Sequence, residues 1–166
     1  MVYIVGVPLM ALMALIQSTM LSQFRFLSGR PDLILLVVIG WGLAGRTTEA
    51  MVFAFFGGLF LDFYSALPFG THAIALVIVA FLVSLYEGRI WEVNILMPLG
   101  ITLMGSLVYH MINLAVLILS GRQIDLTFAF GRVILPSTFL NILLAIPMAQ
   151  AMAGIARRLY PAEVDL

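Results

Sequence analysis

The chain has 166 residues, of which 63% are apolar and 10% charged, with a mean hydropathy of +1.16 and no formal net charge. A soluble domain averages about 45–50% apolar and about 25% charged residues, so this material cannot build an aqueous surface. The balanced charge points to neither nucleic acid nor an acidic substrate, and with no cysteine there is no disulfide framework, thiolate nucleophile or Cys-ligated metal. All eight basic residues are Arg.

Charges and Pro/Gly breaks predict six apolar spans. The first, Val2–Leu21, lacks the basic flank of a signal peptide and reads as a retained helix, ended by Ser22, Gln23 and Arg25. The second, Leu33–Ala44, follows Arg30-Pro31-Asp32; about 12–14 residues make near 20 Å of helix, short for a crossing. Asp32 suits its positive N-terminus. Residues 50–86 then run 37 positions with one charge, Asp62. That is roughly 55 Å of helix against a hydrocarbon core of about 30 Å. The chain must cross, turn at Pro68-Phe69-Gly70 and cross back, giving spans Thr48–Ala66 and Thr71–Tyr86. The link Glu87–Asn94 is charged and carries an interfacial Trp91. Span five is Ile95–Leu119. In Ser120–Arg132 the alternation of Ile124, Leu126, Phe128 and Phe130 with polar residues predicts a segment lying on the membrane surface. Span six is Val133–Ile155, with Pro136 and Pro147. The expected fold is an all-α integral membrane protein, one domain over residues 1–166 with six transmembrane helices in one bundle.

Six spans put both termini on one side. Arg46, Arg89, Arg157 and Arg158 stand on that side and Arg25, Arg30, Arg122 and Arg132 on the other, an even count that the positive-inside rule cannot resolve. The Arg157-Arg158 pair beside the last span favours cytoplasmic termini. Small residues recur every fourth position at Ala50, Ala54 and Gly58, and at Ala145, Ala149 and Ala153. Such stripes let helix backbones approach closely, either within the bundle or against a partner's transmembrane helix.

A carboxylate within apolar helix is paired, near water or functional. Asp62 sits a turn before the end of its span, and the free N–H groups of the next span should return beside it. The expectation is a reversed cap, with Asp62 accepting hydrogen bonds from the backbone around Gly70–His72. His72 reads as a boundary residue. His110 and Asn113 share a helix face and could bond Asn141, Gln17 or waters, as interhelical glue or as a small polar pocket. Two histidines on separate spans without an acid pair make a poor metal site. No zincin, nucleophile-elbow, Ser–Lys or paired intramembrane aspartate pattern is present, so the residues predict no enzyme, no cofactor and no metal.

Three stretches carry a family resemblance. Pro31-Asp32-Leu33 opens an apolar span; Gly58-x3-Asp62-x2-Ser65-x2-Pro68-x-Gly70-x2-Ala73 forms a central hairpin, with Ala66 where a Gly is usual; Leu135-Pro136-x4-Asn141-x3-Ala145-x-Pro147 lies near the end. Together they resemble the MreD family of the bacterial rod-shape system. The resemblance implies a non-enzymatic scaffold of the elongation machinery (elongasome) in the bacterial cytoplasmic (inner) membrane, supporting lateral peptidoglycan synthesis and rod cell shape. It implies MreC as direct partner, with RodA, its class B penicillin-binding protein and MreB filaments reached through the complex. It also implies the architecture of the substrate-binding subunits of energy-coupling-factor transporters, with both termini cytoplasmic. The polar residues Asp62, Ser65, Pro68, Gly70, His72, His110, Asn113 and Asn141 are the candidate structural or functional positions. Ala50, Ala54, Gly58, Ala145, Ala149 and Ala153 are the candidates for a partner-helix interface. The alternative is a vitamin-binding subunit of an energy-coupling-factor transporter, which would need a pocket of convergent polar groups.

Overall fold

A helix that is apolar all round must be buried on all sides, and the centre of this fold is such a helix. The computed structural model describes residues 2–19, 28–86 and 96–160. Among them the secondary structure is helical, without strands. α1 is Val2–Thr19, α2 Leu33–Leu43, α3 Thr47–Phe63, α4 Thr71–Ser84 and α5 Leu96–Leu119. α6 runs continuously over Leu126–Leu159, with Ala129–Ile134 wound as a π-helix. Ten of the eleven α2 residues, Ile34 to Leu43, are buried. The other helices contact one another in the order α1, α3, α4, α5, α6 around it.

Close approaches fix the directions. Gly6 and Gly57 face Phe53 and Met10, so α1 and α3 run parallel. Gly57 faces Ile34 and Gly42 faces Ala50, so α2 is antiparallel to α3; Gly40 faces Ala149 and Met152 while Asp32 at its start bonds Asn141, so α2 is parallel to α6. The start of α1 and the end of α6 therefore lie at one end of the bundle. At that end the Arg46 guanidinium stacks 3.5 Å over the Tyr160 ring, whose hydroxyl donates to Glu49 Oε1 at 2.8 Å. That hydrogen bond holds the Tyr160 phenol above its usual range.

Two helices, α5 and α6, are long and apolar enough to cross a membrane. The remaining four are shorter, and α2 is about 16 Å long. Its outward surroundings are also apolar: Leu9, Phe55, Phe56, Ile74, Phe81, Met104, Phe139 and Leu143 are exposed around the bundle. Three predicted elements change. α3 ends at Phe63, before the turn, and α4 at Ser84. The segment expected on the membrane surface becomes the first turns of α6, because Asp125 caps it, accepting from Phe128 N at 3.2 Å. The expected turn at Ser22, Gln23 and Arg25 and the Glu87–Asn94 link lie outside the described residues.

The small-residue stripes pack inside the chain. Ala50, Ala54, Gly58, Ala145, Ala149 and Ala153 are all buried. A Cβ at Gly58 would collide with the Ala73 backbone, so α3 and α4 meet at van der Waals distance there. The stripes thus take part in helix packing within the bundle. Gly58→Ala is expected to lower stability by about 1–3 kcal/mol through overpacking. Gly100→Ala, where a Cβ meets nothing within 4 Å inside α5, should be neutral or stabilise by up to about 1 kcal/mol. Unfolding in mixed detergent measures both, and equal stability of the two variants would contradict the α3–α4 contact described.

Candidate functional site

Short α2 begins within the bundle, so the chain must reach that depth in extended form. Non-helical backbone at such depth is tolerated only where protein satisfies its N–H groups. Segment 28–32 meets that condition by lying along α6. Ser28 N–H donates to the Arg132 carbonyl (3.0 Å), Arg30 N–H to Ser137 Oγ (3.1 Å) and Asp32 N–H to Asn141 Oδ1 (2.8 Å). Pro136 has no N–H to offer the Arg132 carbonyl four residues back, which leaves that oxygen for Ser28. A Cβ at Gly29 would stand 2.6 Å from Ser137 N, so only glycine lets the segment come this close. Beyond it, Ile34 N–H donates to Gln17 Oε1 of α1 at 3.2 Å.

Asp32 stands at the N-terminus of α2 as expected, although its carboxylate makes no cap hydrogen bond there. It turns to Asn141, whose Nδ2 donates to Oδ2 at 3.0 Å and also to Ser106 Oγ at 3.1 Å. His110 Nε2 lies 3.2 Å from the same Oδ2. Asn141 and Ser106 are fully buried, and this knot joins α2, α5 and α6.

Asp62 forms the second knot. Its Oδ2 accepts from Gly70 N–H (2.9 Å) and Ala73 N–H (3.4 Å), and its Oδ1 from His72 N–H (3.0 Å). The hairpin follows the sequence closely. Gly70 takes a positive φ of 94°, Pro68 O accepts from Thr71 N–H and Oγ1 (3.2 and 2.6 Å), and Ser65 Oγ accepts from Leu67 N–H (3.0 Å). His72, expected as a plain boundary residue, instead places Nδ1 3.3 Å from Asp62 Oδ1. Tyr109 stands edge-on between the two histidines, its ring centroid 5.9 Å from His72 and 5.4 Å from His110. The two knots are therefore neighbours.

Of the predicted polar residues, Asp62, Ser65, Pro68 and Gly70 build the hairpin, while His72, His110 and Asn113 line one cavity of about 480 Å³ at the end away from the chain termini. Asn141 and Gln17 are engaged with α2's entry and not with Asn113. Sequence reasoning missed Asp32's contacts and those of Ser106, Ser137 and Tyr109. Asp32 and Asn141 are 109 residues apart, and the one available signal was that both lie in the stretches that carry the family resemblance.

These features describe a helical membrane-protein class whose buried acids brace backbone. The chain matches the family described as rod shape-determining protein MreD over residues 1–159, and it belongs to that family. Its role is accordingly in rod shape determination. No curated protein and no solved structure matches it.

Two outcomes are expected. Asp62→Ala, which removes the acceptor of three N–H groups, should cost about 2–4 kcal/mol, and Asp62→Asn, which keeps one accepting oxygen, should cost less. An Asp32→Ala/Asn141→Ala double-mutant cycle should give a coupling of about 1–3 kcal/mol. Additive losses in that cycle would refute the knot.

Proposed function

We propose that the chain is a non-enzymatic membrane scaffold of the bacterial elongation complex. It crosses the cytoplasmic membrane six times with both termini cytoplasmic, binds MreC directly, and supports lateral peptidoglycan synthesis. RodA, its class B penicillin-binding protein and MreB filaments are reached through that assembly. Family membership supports the setting. The observation that carries the scaffold reading is the engagement of both buried carboxylates. Asp62 accepts three backbone N–H groups, and Asp32 is held by Asn141 and His110. Groups fixed this way hold helices in place and are not poised to attack or deprotonate a substrate. A partner's membrane helix must then meet the outer apolar faces, since both small-residue stripes are internal.

Co-expression with tagged MreC tests this. The wild-type chain is expected to co-purify, and Ala149→Leu is expected to be lost from the membrane fraction altogether, as a packing variant and not as a folded chain deficient in binding. Failure of the folded wild type to co-purify would sink the scaffold reading. The alternative, a vitamin-binding transporter subunit, draws on the 480 Å³ cavity, which lies within the about 300–1,000 Å³ of small-molecule sites. Recovery of a water-soluble vitamin in stoichiometric amount from purified protein would favour it.

A further inference from the structure

The cavity has two unlike walls. One is aliphatic and aromatic, from the ends of α5 and α6: Leu114, Leu117, Ile124 and Phe128. The other is polar, with Arg30, His72, His110 and Asn113, and Arg122 lines it too. Arg122 reaches over to the α3–α4 turn, donating from Nη2 to the Ala66 carbonyl at 3.2 Å. A guanidinium has five N–H donors, so most of its capacity remains for an anion. Asp32 is the lone acid on the lining, and its Oδ2 already faces Asn141 and His110.

Buried polar atoms normally find partners, and exceptions ask for a reason. Among the described residues five buried side-chain N or O atoms lack a hydrogen bond, and three of them belong to this lining: His72 Nδ1, His110 Nε2 and Asn113 Oδ1. The two histidine nitrogens each lie against a carboxylate. The Asn113 side chain pairs with the buried Tyr109 hydroxyl, which leaves its Oδ1 as an acceptor without a hydrogen bond.

We propose that this cavity binds an anionic phospholipid whose headgroup carries hydroxyls, of the phosphatidylglycerol type. Arg122 and Arg30 take the phosphodiester, a headgroup hydroxyl donates to Asn113 Oδ1, and the acyl chains leave along Leu114, Leu117 and Phe128. The phosphoglycerol chemistry is shared by soluble glycerol phosphates, but the apolar wall has no use for them. Basic pockets between membrane helices recognise acidic headgroups by the same chemistry.

Native mass spectrometry of the whole chain in detergent tests the proposal, with phosphatidylglycerol, phosphatidylcholine and glycerol 3-phosphate supplied at equal concentration. The expected result is one retained phosphatidylglycerol, favoured about tenfold over phosphatidylcholine, as the loss of a charge-assisted contact implies. Arg122→Gln, on the exposed loop, should erase that preference and Arg122→Lys should keep part of it. Leu117→Trp, which fills the apolar wall, should exclude the lipid while leaving the polar wall intact. Equal retention of the two lipids by the wild type overturns the site, and so does a preference unmoved by both Arg122→Gln and Leu117→Trp. If glycerol 3-phosphate excludes the lipid, the ligand is soluble and the lipid assignment is overturned. The lipid site and the scaffold role fail separately, because no arm of this experiment contains MreC.

Discussion

An extended backbone that enters an apolar bundle must find an acceptor for each N–H it brings, and the fold is organised around meeting that demand at one place. Segment 28–32 and the first turn of α2 present donors at Ser28, Arg30, Asp32 and Ile34. Their acceptors are the Arg132 carbonyl, Ser137 and Asn141 of α6, and Gln17 of α1. The pairing of Asp32 with Asn141 is reciprocal, since each residue both donates to and accepts from the other. Reciprocity fixes depth and register together. With its start anchored there, α2 can be eleven apolar residues with no polar face, and the other helices can pack around it.

How much of this is legible in the chain depends on the distance over which each cause acts. The Asp62 hairpin is local. A carboxylate one turn before a Pro-x-Gly break has the next helix's free N–H groups returning to it, and no other segment is needed to see why. The brevity of α2 was equally plain from Arg30-Pro31-Asp32 and Gly45-Arg46. The Asp32–Asn141 knot was not, because nothing within a few residues of either position names the other. Asp32 before an apolar run looks like a helix-dipole partner, and it does stand at that helix start, but its carboxylate is held by the distant Asn141 amide and His110 ring. The small-residue stripes left two uses open, and only packing could decide that they face Ala73, Gly42 and α2. At the start of α6 the capping aspartate Asp125 sets where the helix begins.

The π-wound start of α6 has a related cause. Proline cannot donate to the carbonyl four residues before it, so Pro136 leaves Arg132 O available within an otherwise closed ladder, and π turns gather where such a ladder is interrupted. Ser28 uses that oxygen. The same proline thus explains an irregular helix, a docked extended segment and the requirement for glycine at position 29, where any side chain would strike the Ser137 backbone. One residue type accounts for three observations that would otherwise need separate explanations.

The two acidic knots differ in what they leave over. Asp62 is saturated by backbone N–H groups and ties α3 to α4 irrespective of anything else. Asp32 is satisfied by side chains from α5 and α6, which also border the cavity. Tyr109, packed between His72 and His110, connects the two, so a shift of α5 would disturb both at once. The end of the bundle away from the start of α1 and the end of α6 is therefore tied by backbone hydrogen bonds on the α3–α4 side and carries the cavity on the α5–α6 side. On the scaffold reading, this asymmetry would hold the helices in fixed register while leaving one flank to the proposed lipid.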